Sequence, residues 1–362
     1  MSNSIPFELS EKTYNKLLKI KNEKGLSKNT WDEFINSLIS YGNENNTNAK
    51  IIENIIRKNA ITYWYESWVR NFSINLTNIW NDKSAQDLIH TKNHYTSALI
   101  IGRGPSIKKF NHLKLLSESN FKGSIVCTDG SLPDVLNAGI TPDKFNLFVV
   151  TIDAQENQKS LYEHPVTLQF GKGIKCILST TAHPTVHNAA KNAGMDVFWI
   201  HTLFDHEKGK KSFNQIQGIM TRAKNSEKKI PAIQTGANVG TSAWVIAWSI
   251  LGCKNIGMIG IDLGYDDDIS WKNIRYHGNP IPENIDMNSS AFKKAYPTVH
   301  NPDYGCNCKQ DPLFQYYCNA LKEFIQKTKD KINTINATEG GALFGEGIKC
   351  ITLKEFLQKY NF

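Results

Sequence analysis

The sequence predicts an α/β protein: a Rossmann-like, mostly parallel sheet with helices on both faces, preceded by an N-terminal helical segment. Three observations predict it. Short, mainly apolar runs recur from Ser97 onward, as strands buried on both faces require. Stretches with helical apolar spacing fall between most of those runs, the alternation of a parallel sheet joined by crossover helices. Before Ser97, apolar residues instead recur at three- and four-residue steps.

Taken in order, Ser10 caps a first helix carrying Tyr14, Leu17 and Leu18, and Gly25 stops it. Thr30 with Glu33 is a capping box opening a second helix with Phe34, Ile35, Leu38 and Ile39. The Asn-rich stretch 41–48 reads as a linker, so residues 1–48 form one helical segment. Residues 4–39 also weakly resemble a ribbon-helix-helix, although the candidate ribbon Ile5–Leu9 has no clear basic face. Ile52, Ile56, Trp64, Trp68, Phe72, Leu76 and Trp80 mark a long helical stretch, and residues 49–96 are expected to pack as a layer on the main domain, residues 97–362. In that domain, strands are predicted at 97–101, 124–127, 147–152, 176–179, 197–200 and 256–261. Helices are predicted at 107–119, 132–138, 186–193 and 241–251. The lysine-rich region Asp205–Lys229 shows little apolar pattern and reads as a mobile insertion or lid.

Composition bounds the function. At 362 residues, with 40% apolar and 21% charged side chains, the chain can bury a sizeable core, which excludes wholesale disorder. No apolar run reaches the roughly 18–20 residues of a membrane span, and no basic-then-apolar leader opens the sequence. A cytoplasmic protein with reduced thiols at its 7 cysteines is the expectation. A net charge of +8 suits an anionic ligand but is too mild to argue for nucleic acid as a partner. A homo-oligomer is left open.

Ligands of open α/β sheets bind where strands end, so the turns after the predicted strands are the candidate site. Gly102, Arg103, Gly104, Pro105 and Ser106 combine two glycines that admit a ligand to the backbone, one cation, and a helix start whose N–H groups face an anion. Asp129 and Gly130 follow the next strand, where an acid often reads a ribose hydroxyl. Asp153 ends the third, where a carboxylate can hold a sugar hydroxyl or magnesium. Asn238, Gly240, Thr241 and Ser242 open an apolar helix as a second anion cradle, and Asp262 emerges at the end of the strand after it. Each turn also has a plainer reading as a tight turn or helix cap. His300 is a candidate general base or phosphate contact; a zinc site from His300, Cys306, Cys308 and Cys318 matches no standard spacing. The glycines after Asn336 suggest a loop that closes the pocket.

At these motifs the chain from Ser97 to Phe362 resembles the MptE-like family of archaeal 6-hydroxymethylpterin diphosphokinases and Maf flagellin glycosyltransferases, whose core is similar to that of bacterial sialyltransferases. Gly102–Ser106 resembles the family's first Gly-x-Gly-Pro-Ser loop, and Val239–Asp262 the sialyltransferase segment running from a Thr/Ser/Gly helix start to Gly-Ile-Asp. Asn336–Ala342 looks like the Maf signature near the C-terminus. The resemblance implies cytidine-nucleotide contacts at Asn238, Gly240, Thr241 and Ser242, and a basic histidine some 35–40 residues past Gly-Ile-Asp, which lands on His300. Two departures stand out. The diphosphokinases carry two acids in a Thr-Asp-x-Asp-Gly-type loop, where Thr151–Gln155 offers only Asp153; and Arg103 stands where a smaller residue is common.

The expected function is therefore transfer from a nucleotide-activated donor, foremost a CMP-sugar, to an acceptor protein or glycan, with His300 and Asp153 catalytic. No cofactor is firmly expected. The alternatives are an ATP-dependent pterin diphosphokinase, with magnesium at Asp153, and a non-catalytic nucleotide- or DNA-associated binding protein.

Overall fold

The computed structural model describes residues 61–90, 96–204, 212–276, 279–280 and 286–361. The chain divides into two units, residues 1–59 and 60–362, and every described residue lies in the second. The two helices expected before residue 40 and the ribbon-like Ile5–Leu9 fall outside the described residues.

The second unit is built on a sheet of ten strands in which every described pairing is parallel. In chain order the strands are β1 (Lys83–Ser84), β2 (Ser97–Ile101), β3 (Ser124–Thr128), β4 (Asn146–Thr151), β5 (Lys175–Ser179), β6 (Asp196–Thr202), β7 (Ala232–Ile233) and β8 (Asn255–Ile259). Outside the sheet lie β9 (Tyr265–Asp266), the paired β10 (Arg275–Tyr276) and β11 (Asn279–Pro280), β12 (Thr298–Asn301) and β13 (Cys306–Lys309). Strands β14 (Asn333–Asn336) and β15 (Ile348–Cys350) return to it. Across the sheet the order is β1-β6-β5-β4-β3-β2-β8-β14-β15, with β7 beside β6. The small sheet has the order β12-β13-β9.

The apolar interiors of the strands are explained by two cores. Leu99, Ile101, Ile125, Cys127, Leu147 and Val149 face one of them, under helices that include residues 61–81, Leu132–Asn137, Pro184–Asn192 and Leu353–Lys359. The alternate residues Ala98, Ile100, Val126, Phe148 and Val150 face the other, under Val239–Ser249 and Pro312–Thr328. Alternation of side chains along each strand thus buries both faces, and the sheet is covered on both sides as expected.

Three expectations need correction. The single helix predicted over 107–119 is two, Ser106–Lys109 and His112–Ser117, because Asn111 turns left-handed at φ 51° and breaks the ladder. The strand predicted to run to residue 261 ends at Ile259, because Gly260 turns the chain at φ 65°. Residues 205–211 lie outside the described residues, but most of the rest of the expected lid is a docked helix, Phe213–Lys224. Ser212 caps it by accepting from the Gln215 N–H at 3.2 Å. After Phe213 its buried stripe is polar: Gln217 donates to Thr180 Oγ1 at 3.1 Å, and Thr221 Oγ1 lies 3.4 Å from His201 Nε2. An apolar pattern cannot reveal such a face.

Candidate functional site at the carboxyl rim of the sheet

From β2 the chain steps outward through β3, β4, β5 and β6, then crosses back to place β8 on the other side of β2. Strand order therefore reverses between β2 and β8, the position at which open α/β sheets take ligands. Gly102–Ser106 leaves β2 there and Gly260–Asp262 leaves β8. The two loops are stitched by Gly102 N–H to Ile259 O (2.9 Å) and Gly104 N–H to Gly260 O (2.8 Å). Ser106 Oγ donates to Asp262 Oδ2 at 2.8 Å and its N–H to Oδ1 at 3.3 Å. Asp262 is buried, and that burial pushes its carboxyl up to about 6 against the bonds from Ser106. A Cβ at Gly104 would fall 1.7 Å from Asp262 Oδ2, so only glycine fits.

The second glycine turn reaches the same place. Built Cβ atoms at Gly102 and Gly240 would lie 2.6 and 2.8 Å from the same atom, Ile261 Cδ1. The two turns, 138 positions apart by numbering, thus share one wall. Gly236 and Ala237 are both left-handed, at φ 54° and 61°, and deliver Asn238 as the cap of Val239–Ser249. Asn238 Oδ1 accepts the Thr241 N–H at 2.8 Å, and Asn238 Nδ2 donates to Thr241 Oγ1 at 2.8 Å. Ser242 Oγ donates to Asn238 O at 2.9 Å. The Thr241 and Ser242 hydroxyls are buried and engaged in the cap, so what this turn offers a ligand is the helix's first-turn backbone and its positive end.

The acids of β3 and β4 converge beside them. Asp129 is buried, accepting from Thr151 Oγ1 (2.8 Å) and from the Gly130 N–H (2.7 Å). Burial raises its pKa to about 6, with the Asp153 charge adding and the Arg103 charge opposing. Arg103 is exposed and passes over Gly130, whose built Cβ would lie 3.2 Å from Arg103 Cδ. Asp153 is half-buried; burial raises its pKa, against N–H groups of Gln155 and Ala154 and the Gln158 amide. Loops from three adjacent strands thus bring Arg103, Asp129 and Asp153 together.

Two supporting residues were not singled out from the sequence. Thr151 lies 2.7 Å from Tyr162 Oη behind Asp129, in a chain that reaches Cys176. Asn71 donates to Ala154 O (3.0 Å) and Thr181 O (3.1 Å), fixing the Asp153 loop from the helix above. The signal was two asparagines, Asn71 and Asn75, one turn apart on a buried helix face.

His300 sits apart from this cluster, exposed on β12, its Nδ1 2.9 Å from Asn307 Oδ1. Its neighbour Asn301 is buried and donates to Gly341 O at 2.9 Å, while Ala342 N–H donates to Asp262 O at 2.8 Å, so the small sheet adjoins the rim. The loop after Asn336, expected to close over the pocket, is fixed in place: Asn336, Ala337 and Thr338 are buried, and Glu339 accepts from the Leu353 N–H at 3.1 Å. Among the described residues, no group of three or more His, Cys, Asp or Glu side chains is arranged to hold a metal ion, and no helix is long and apolar enough to cross a membrane.

Comparison with known proteins adds the following. The family model described as 6-hydroxymethylpterin diphosphokinase MptE-like matches residues 70–268, more than half of the chain. Among solved structures, the MAf glycosyltransferase from Magnetospirillum magneticum AMB-1 is similar at 17% identity and a TM-score of 0.49, over 78% of this chain and 39% of that one. This chain thus spans about two fifths of that protein's length. A search of the curated proteins finds no match.

Proposed function

The chain belongs to the MptE-like family, and on that premise we propose that it is a transferase binding a nucleotide-activated donor at the β2–β8 rim. One observation carries the reading: two glycine turns, one arginine and two acids meet where the strand order reverses. In this reading the donor phosphate lies against Arg103 and the first turn of Val239–Ser249, where the helix's positive end favours an anion, while Gly102–Ser106, whose Gly102, Gly104 and Ser106 N–H groups are bonded to Ile259, Gly260 and Asp262, lets it approach the backbone closely. Asp129 and Asp153 accept from hydroxyls of the ribose or of the transferred sugar. His300 takes the proton of the acceptor hydroxyl. The donor is a CMP-sugar, whose single phosphate departs without needing a metal to bridge a diphosphate.

A second reading, ATP-dependent pterin diphosphokinase, is favoured by one observation. The Thr151–Gln155 loop holds one acid, but Asp129 from the adjacent strand end supplies another close enough to shift with it. Two carboxylates beside donor phosphates match the protein share of a common magnesium site, and the ion would neutralise charge on those phosphates.

Thermal-shift titration with CMP, CTP and ATP, each with and without magnesium, tests the proposal. A rise in Tm with CMP or CTP that needs no magnesium is expected. A rise with ATP and magnesium alone would transfer the assignment to the second reading, and no rise with any of them would overturn both. His300→Ala is expected to keep nucleotide binding and lose transfer; retained transfer would remove His300 from the reaction.

A further inference from the structure

The geometry points to a second small-molecule site, a carbohydrate acceptor subsite, in the segment between β9 and β13. A cavity of about 440 Å³ lies there, with Trp271, Met287, Phe292 and Tyr296 as its apolar lining and Asn288, Lys293 and Thr298 as its polar lining. That volume is in the range of small-ligand pockets, roughly 300–1,000 Å³. Its aromatic wall is rigid. The Phe292 and Tyr296 rings stack at 4.7 Å, and Trp271 meets them edge-on at 5.4 and 5.7 Å. Lys309 Nζ lies 5.5 Å from the Trp271 ring centre and donates to Ile269 O at 2.7 Å, tying that ring to β13.

The lining names the class of ligand. Flat apolar rings beside a few directional polar groups suit a pyranose, which has an apolar C–H face and an equatorial belt of hydroxyls. The partly exposed Trp271 and Tyr296, backed by the buried Phe292, take the first; the Asn288 amide, the Thr298 hydroxyl and the Lys293 ammonium take the second.

Position supplies the link to the rim. Thr298 and His300 are exposed on β12, while Val299 between them packs into the core. Side chains alternate along a strand, so Thr298 and His300 project from one face about 7 Å apart. Across the small sheet Thr298 pairs with Lys309 and Lys309 with Tyr265, three positions after Asp262. Two strand spacings and three residues of chain put the cavity within about 20 Å of Asp262. This inference rests on the transferase reading, since it names where the acceptor waits and what it is: a sugar whose free hydroxyl faces His300.

Isothermal titration of the full chain with lactose and with N-acetylglucosamine, with no nucleotide present, tests it. Binding of one of them is expected, abolished in Trp271→Ala and weakened at least threefold in Asn288→Ala and Lys293→Ala. The last two sit at exposed positions and are expected to leave Tm unchanged, so they remain informative if the tryptophan variant misfolds. No heat from either sugar, or binding that both exposed variants retain in full, would overturn the subsite. Parallel titrations with CMP and with ATP and magnesium separate the two ideas: sugar binding without nucleotide binding sinks the transferase reading and with it the acceptor role, leaving a sugar site, whereas nucleotide binding without sugar binding sinks the subsite alone.

Discussion

The two glycine turns at the rim are shaped by opposite means. Gly102–Ser106 is held from outside: its backbone is bonded to Ile259 and Gly260, and Ser106 is bonded to a carboxylate 156 positions away. The helix it opens has four residues and no side-chain cap. The turn ending at Ser242 holds itself, through an Asn238 cap and two left-handed residues, and opens an eleven-residue helix. The contrast teaches that two glycine turns at one rim can differ in what sustains them. The first depends on the partner strand β8, whereas the second needs only its own sequence.

Substitutions can break that comparison. The largest effect is expected for Gly104→Ala, because its Cβ meets Asp262 Oδ2 at 1.7 Å and the Gly260 carbonyl at 2.8 Å. A loss of about 3 kcal/mol is expected in urea unfolding. Adding Asp262→Ala removes the nearest obstruction, so the double variant should lose less than the sum of the two single ones; strict additivity would show that the loop is not shaped by Asp262.

Next comes a pH effect on the same tie. The folded carboxyl of Asp262 sits at about 6, above its ordinary 3.8. Between those values the native state keeps a proton that the unfolded chain has released, so this group's contribution falls as pH rises from about 4 to 6. Asp262→Asn removes the effect, and its stability relative to the parent chain should improve by about 1–3 kcal/mol from pH 4 to pH 7. Unfolding midpoints at the two pH values check it; an unchanged difference would mean that Asp262 is ionised in the fold throughout.

The self-contained turn should respond less. Asn238→Ala is expected to cost about 1 kcal/mol, the usual value of a side-chain cap, measured by chemical unfolding. Gly240→Ala should stay within about 1 kcal/mol, because its Cβ meets the movable end of Ile261 at 2.8 Å and the Asn238 Oδ1 cap at 3.3 Å, while alanine favours the helix. A loss from Gly240→Ala as large as that from Gly104→Ala would erase the distinction.

Much of this was legible in the sequence because burial on both faces leaves an unmistakable trace: Ser97–Ile101 and Asn146–Thr151 carry scarcely a polar side chain. The strand ends, and with them most candidate site residues, followed from those runs. Strand order was not legible. That Asp129 and Asp153 are neighbours, and that Ile261 stands against both glycine turns, depends on β3 beside β4 and β8 beside β2. The helix Phe213–Lys224 escaped because only Phe213 of its inner face is apolar; beyond it that face is Gln217 and Thr221, which meet Thr180 and His201. The Ser212 to Gln215 cap spacing was its one local signature.

The margins of the large sheet have a consequence for assembly. One is closed by the two-residue strands β1, which begins with Lys83, and β7, both beside β6, and the other by the three-residue β15, with Lys349 at its middle. Short borders bearing ammonium groups give a neighbouring chain little ribbon to extend. If this chain pairs with a second copy, the mating surface is expected to be a helical flank, leaving the strands' open carboxyl ends uncovered.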